Sequence, residues 1–306
     1  MTSHAAAVRR TSALGVLWRF SRPHTLIGTF VSATGLYLIA VHELPGSGID
    51  QLLWVMVAGT GVNIAIVGVN QITDIEIDRI NKPHLPLAAG VLSVEAAWRI
   101  VAVATVVPLV LALSQGALET AAVAIALVVG FAYSLPPVRL KRWPIAAALC
   151  ISGVRSAVVN LGMYGHFSLA FGGALTIPPS VWALTAFVLP FSFAIAVLKD
   201  VPDIQGDRRY RIATFTVRLG PQRAARLGLA ALTLAYAGMI VLGPVLVDDA
   251  QPVVLAAGHA AALALLVVWA RRADPADPAA FTSFYMRVWA LFFAEYALVA
   301  AAVLAA

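Results

Sequence analysis

The chain has 306 residues, with 21 Lys and Arg against 15 Asp and Glu, a formal net charge of +6. Hydrophobic residues make up 61% of it and charged residues 12%, against roughly 45–50% and about 25% in an ordinary soluble domain. That composition excludes a soluble two-domain protein of this length, and it makes the basic excess a question of loop placement rather than of nucleic-acid binding.

Stretches apolar enough to cross a bilayer as helices, about 20 residues each, run over 25–42, 52–72, 94–113, 117–136, 144–165, 178–198, 222–243, 252–270 and 284–304. They predict an all-α integral membrane protein, residues 1–306 forming one bundle of nine helices, because a helix satisfies its own backbone polar groups in lipid. The first span lacks a small-residue cleavage site and reads as a retained helix. Arg9, Arg10, Arg19 and Arg22 precede it. Arg79 and Lys82 follow span 2; Arg139, Lys141 and Arg142 follow span 4. Lys199, Arg208, Arg209, Arg211 and Arg218 follow span 6, and Arg271 and Arg272 follow span 8. The other four connections hold no Lys or Arg. This alternation is the positive-inside pattern, so the N-terminus and the basic loops are expected in the cytoplasm and the C-terminus on the far side. The Ala-, Val- and Arg-rich usage points to a bacterium with GC-rich DNA, so the membrane expected is a bacterial inner membrane. The single cysteine, Cys150, cannot close an intrachain disulfide.

Two polar stretches interrupt this pattern. "NQITDIEID" (Asn70 to Asp78) and "KDVPDIQGD" (Lys199 to Asp207) both end an even-numbered span, and both carry D-I-x-x-D. They lie four spans apart, which suggests two quasi-repeated four-helix units followed by a ninth helix. Asn70, Asp74 and Asp78, spaced i, i+4, i+8, would share one face of a continuous helix; Asp203 and Asp207 repeat the spacing, with Lys199 and Asp200 beside them. A lone DxxxD at a solvated helix end needs no function. Here the acids fall where a helix dipole disfavours them, and like charges stand one turn apart, twice. A cation that offsets both penalties accounts for the pattern. The donors are carboxylates and an amide, with no His or Cys among them, which favours Mg²⁺ held jointly with substrate phosphates. Asp74, Asp78, Asp203, Asp207 and Asn70 are the expected ligands. Lys82, Lys199 and the loop cations would neutralise the remaining charge of a diphosphate. The setting in lipid points to a prenyl diphosphate.

On these residues the chain resembles the intramembrane aromatic prenyltransferases of the UbiA superfamily. The family's NxxxDxxxD stands as Asn70, Asp74 and Asp78, and its second motif as Asp203 and Asp207. "FSRPHTLIGT", "DRINKPHLPLAAG", "VVNLGMYGHF" and "LKDVPDIQGD" read like the homogentisate phytyl- and prenyltransferase branch. The resemblance covers about Phe20 to Gly220 and implies Mg²⁺-dependent ionisation of a prenyl diphosphate, with alkylation of an aromatic acceptor, in a central cavity. It implies roles for Tyr133 and Lys141 in "YSLPPVRLKR", and Arg22 matches a family block.

Arg155 lies deep in span 5, about 16 Å from its start. A charge there needs a partner: either a structural ion pair with Glu295 or an anion, of which the acceptor's carboxylate is the favoured one. Asn160 follows it as a further substrate-binding candidate, and His166 as an interfacial or satisfied polar residue. Phe131, Tyr133 and Phe191 are candidates for the prenyl channel; Arg139 and Arg142 read as topology determinants, and His24 carries little signal. The expected partners are thus a prenyl diphosphate, an aromatic acceptor and the bilayer, with no nucleic acid. Two other readings stay open: a cyclase of the same superfamily that needs no aromatic acceptor, and a transporter, whose charges would lie nearer the midplane.

Overall fold

A computed structural model describes residues 12–306; Arg9 and Arg10 of the topology argument lie outside them. The described chain is helical and contains nine helices long and apolar enough to span a bilayer. A short α1 (Ala13–Phe20) precedes α2 (Pro23–Glu43) and α3 (Ile49–Thr73). After the seven-residue α4 (Ile75–Asn81) come α5 (Val94–Gln115) and α6 (Ala117–Ser134). The fifth span is one run made of α7 (Pro144–Gly153), a π-helical stretch (Val154–Leu161) and α8 (Gly162–Gly172). Then follow α9 (Pro179–Leu198), the short α10 (Ile204–Arg209) and α11 (Phe215–Leu219), α12 (Pro221–Leu246), α13 (Pro252–Ala270) and α14 (Pro278–Leu304).

Local chemistry fixes the boundaries. Proline occupies the first turn of α2, α7, α9, α12, α13 and α14, where its missing N–H costs nothing. Ser93 caps α5 and Asp277 caps α14, the latter accepting from the amides of Ala279 (2.9 Å) and Ala280 (3.2 Å). That cap, with Pro278, starts the ninth span at 278 rather than the expected 284. Gly116, at φ 114°, is the whole connection between α5 and α6, a backbone position other residues rarely adopt.

Spans α9 and α14 are the most enclosed, with 61% and 56% of their most apolar stretch buried against 17% for α13. Phe187 and Phe191 of α9 meet Tyr236 of α12 and Phe292 of α14 in an aromatic core. Phe191 is fully buried there and lines neither of the two cavities described below. On α5, Val103, Val106, Val110 and Leu113 form an exposed stripe at helical spacing, the face expected to meet lipid.

The two acidic motifs are not continuous helix. The third helix ends at Thr73 and Asp74 is its C-cap, at φ −117° and ψ 15°; the next residue opens α4. Helix α9 ends at Leu198, and Asp203 is the N-cap of α10. Asn70, Asp74 and Asp78 therefore form no single column. The dipole penalty expected for the acids is also partly reversed, because Asp78 and Asp207 sit in the first turn of α4 and α10, where negative charge is favoured.

Candidate active site

The breaks after α3 and α9 turn both motifs inward at the same end of the bundle. Asn81 closes α4 and accepts a hydrogen bond from the backbone N–H of Gly206 in α10 (2.9 Å), latching the two short helices together. Between them lies a cavity of about 600 Å³ whose wall includes Asn70, Asp74, Asp78, Asp200, Asp203 and Asp207. Its cations are Arg19, Arg22, Lys82, Lys141 and Lys199.

The charges are paired specifically. Lys141 donates to Asp74 Oδ2 (2.6 Å) and to Thr73 Oγ1 (3.1 Å), and Arg139 to Asp74 Oδ1 (3.1 Å). Asn70 bridges, donating to Asp74 Oδ2 (3.0 Å) and accepting from Arg22 (3.2 Å). Lys82 pairs with Asp203. Lys199 donates to the Tyr133 hydroxyl (2.9 Å) and stands 3.4 Å from Asp200. Arg22 and Arg139 both hold positive φ, 50° and 40°, a conformation a non-glycine residue keeps only where its surroundings impose it. Arg139, read from sequence as a topology signal, thus belongs to the site, and Asn81 was missed because one Asn in a loop carries no pattern.

Two acids lack such partners. Asp78 Oδ2 is buried without a hydrogen bond, with Arg22 at 3.8 Å. Burial pushes the Asp78 carboxyl up to about 6, against the pull of Arg22 and Lys82. Asp207 goes further, to about 8, through burial and then through Asp200 and Asp203. Burial also lowers the Lys141 ammonium to about 8 despite Asp74. The unpaired Asp78 oxygen, and Asp207 beside Asp200 and Asp203 on the same cavity wall, fit a bound cation, and their all-oxygen chemistry suits Mg²⁺. Among the described residues no three acidic, His or Cys side chains converge on one point. These residues therefore suit an ion that keeps water or phosphate in its shell rather than one caged by protein alone.

A second cavity, of about 310 Å³, continues from the first into the bundle. Arg22, His24, Asn70, Tyr133, Lys199 and Tyr285 line both. Its wall is largely apolar, from Gly28 of α2, Val62 and Ile66 of α3, Val123 of α6, Val158 of the π-helical stretch and Phe292 of α14. Arg155 projects onto it from the π-helical stretch, a distortion that often marks functional sites. Its guanidinium lies 4.7 Å from the Trp289 ring centroid and 5.4 Å from that of Phe292, and Nη1 is buried with no hydrogen-bond partner. The ion pair with Glu295 does not form: Glu295 instead meets Nε2 of His259 at 3.0 Å.

Asn160 is fully buried, is not among the residues lining either cavity, and accepts from the Tyr296 hydroxyl (2.7 Å), while its Nδ2 has no hydrogen-bond partner among the described residues. His166 meets Gln51 (3.0 Å). Phe131 lines neither cavity. His24, whose ring stands edge-on to Trp289 with centroids 5.0 Å apart, lies at the junction of the two cavities. His24, Tyr285, Trp289 and Phe292 carry no motif, and only the packing of α2 against α14 reveals them.

The comparisons with known proteins agree with this geometry. The chain is 41% identical over 293 residues to the homogentisate phytyltransferase of Synechocystis sp., covering 94% of this chain and 95% of that one. It is 37% identical over 295 residues to the homogentisate phytyltransferase 1 of Arabidopsis thaliana, a chloroplastic protein, covering 94% and 75%. A solved structure of a UbiA homolog from Archaeoglobus fulgidus, bound to GPP and Mg²⁺, superposes with a TM-score of 0.64 over 94% of this chain and 99% of that one. At 20% identity that likeness speaks for the fold alone. Residues 26–292 match the UbiA prenyltransferase family, and the chain belongs to it.

Proposed function

We propose that this enzyme transfers a prenyl group from a prenyl diphosphate to an aromatic acid of the homogentisate type, inside the membrane. The observation that carries this reading is the continuity of the two cavities: a charged mouth and an apolar body meet at Tyr133 and Lys199. One amphiphilic substrate, with an anionic head and a hydrocarbon tail, fits that shape.

Asp74, Asp78, Asp203 and Asp207, with Asn70 beside them, would hold Mg²⁺, which neutralises diphosphate charge when bound. Lys82, Lys141, Lys199, Arg22 and Arg139 bind the head group and stabilise the charge that grows on it as the carbon–oxygen bond breaks. The electron pair leaves with the diphosphate. The allylic cation is kept from water by the apolar wall, where Tyr133, Tyr285 and Trp289 would stabilise it through their ring faces. An electron-rich ring carbon of the acceptor attacks it, and that carbon then loses its proton. Arg155 offers the acceptor carboxylate a two-pronged donor at the depth where the cation forms. Its unpartnered Nη1 and the absence of an acid beside it support that role. The chain further reads as two quasi-repeated four-helix units plus a ninth helix, with the head-group site on the cytoplasmic side of a bacterial inner membrane.

The test is product analysis after incubating the purified protein with labelled prenyl diphosphates, Mg²⁺ and a panel of aromatic acids. The expected result is a prenylated ring and diphosphate release that depends on both Mg²⁺ and acceptor. A cyclic hydrocarbon formed without acceptor would move the protein to the cyclases of the superfamily. Movement of a labelled solute with no diphosphate release would make it a transporter.

A further inference from the structure

We infer that the carboxyl of Glu119, beside His166 and Gln51, closes the far end of the apolar cavity and sets the length of prenyl tail the enzyme accepts. This rests on the proposed reading of the cavity as a prenyl site.

Four charged side chains line that cavity. Arg22 and Lys199 belong to its mouth and Arg155 to its middle, whereas Glu119 stands alone at the other end. Glu119 is 8% exposed and makes no hydrogen bond among the described residues. His166 Nδ1 lies 3.8 Å from its Oε2, and His166 Nε2 is held by Gln51 Oε1 at 3.0 Å. Glu119 of α6 thus lines the cavity's end, backed by His166 of α8 and Gln51 of α3. The other lining residues stop at the same level: Val55 near the start of α3 and Met163 in α8.

The depth follows from α6, which carries both ends of the cavity. Tyr133 at the mouth and Glu119 in the first turn are fourteen residues apart, or about 21 Å at 1.5 Å per residue. With carbon–carbon bonds of about 1.5 Å, an extended isoprene unit of four bonds advances about 5 Å, so the cavity accommodates roughly four units. A fifth unit would press hydrocarbon onto the Glu119 carboxyl, which could not keep its polar surroundings. Glu119 thus limits length by polarity as well as by bulk.

The experiment measures kcat/KM for geranyl, farnesyl, geranylgeranyl and farnesylgeranyl diphosphate with one aromatic acceptor. The native enzyme should improve up to geranylgeranyl and drop at least about tenfold at farnesylgeranyl, the discrimination expected where an extra apolar group has no room. Glu119→Ala should erase that drop. Glu119→Gln, similar in shape and still polar, should keep it and serves as the control for folding. Val55→Phe, at the same level on another helix, should move the optimum down to farnesyl, which keeps the idea testable if Glu119→Ala does not fold. Equal use of all four tails by the native enzyme, or an unchanged length profile in both Glu119→Ala and Val55→Phe, overturns the ruler and leaves prenyl transfer standing. No transfer from any tail to any acceptor overturns the proposed function along with it.

Discussion

Arg155 shows what a single residue can and cannot disclose in sequence. Its depth in an apolar run announces a charge that must be answered. That Glu295 does not answer it depends on His259, which is 36 positions away from Glu295 and claims that carboxylate in the fold. With Trp289 and Phe292 beneath it and Nη1 free, Arg155→Leu should raise KM for the aromatic acceptor about 10- to 150-fold, the equivalent of losing a charge-assisted contact of about 1.5–3 kcal/mol. KM for the prenyl diphosphate should stay put, and Arg155→Lys should recover part of the loss because a point charge lacks the planar fork. The opposite split between the two KM values would transfer Arg155 to the head-group site. Asp78 and Asp207 make a second prediction at this scale. Their folded-state values, about 6 and about 8, lie above the ordinary carboxylate range. The metal-free fold therefore holds protons that the unfolded chain has released, and it loses stability as pH rises from about 4 through 8. Mg²⁺ competes with those protons, so its apparent affinity should climb from pH 6 to 8.5, and the stabilisation it gives should climb with it. Thermal melts at a series of Mg²⁺ concentrations and pH values would measure this, and Asp207→Asn should flatten the upper part of the climb. An affinity independent of pH would contradict the assignment of these two acids as ligands.

At the scale of elements, the D-I-x-x-D spacing was legible, and Pro202 marks the break in the second motif, but the break in the first has no such signal. Asn70, Asp74 and Asp78 have the periodicity of one helical face, and nothing in "NQITDIEID" is a helix breaker. The third helix ends because Asp74 is drawn to Lys141 and Arg139, on a loop more than sixty residues away, and no local signal encodes that pull. The same tertiary logic latches α4 to α10. A Cβ on Gly206 would stand 2.6 Å from the Asn81 side-chain amide, so glycine is what allows Asn81 to reach the Gly206 N–H. Gly206→Ala should push Asn81 away, and Asn81→Ala should leave that N–H without its acceptor, a cost of about 1–3 kcal/mol when buried. Both variants should lower Tm and slow diphosphate release more than they change acceptor KM, because they loosen the head-group end only. If both keep native release rates, the latch does not position the acids.

For the whole molecule, the nine spans were legible because the bilayer imposes one length and one chemistry on each of them, and the structure moves their ends by a few residues only, save at Pro278 and at the end of the fifth span, which runs to Gly172 rather than 165. The arrangement of those spans around a cavity was not, since lipid-facing and cavity-facing apolar residues look alike in sequence. Orientation is the property of the entire chain that follows most directly from charge. Among the described connections, residues 44–48, 116, 173–178 and 247–251 contain no Lys or Arg, whereas Lys82, Arg139, Lys141, Arg142, Lys199, Arg208, Arg209, Arg211, Arg271 and Arg272 all lie in connections at the acidic-motif end. Basic side chains resist translocation, so that end should stay in the cytoplasm. Two positions report on it without touching the site. Ser47 is exposed in the first connection without a basic residue, and Ala276 is exposed between α13 and α14, next to the capping Asp277 that must be left intact. In a Cys150→Ser background, which removes the native thiol from the cavity wall, Ser47→Cys should react with a membrane-impermeant thiol reagent in intact cells. Ala276→Cys should react only after permeabilisation. Reversal of the pair would invert the orientation and place the diphosphate site on the outer face, while labelling of both from outside would break the odd span count that sets the two termini on opposite sides.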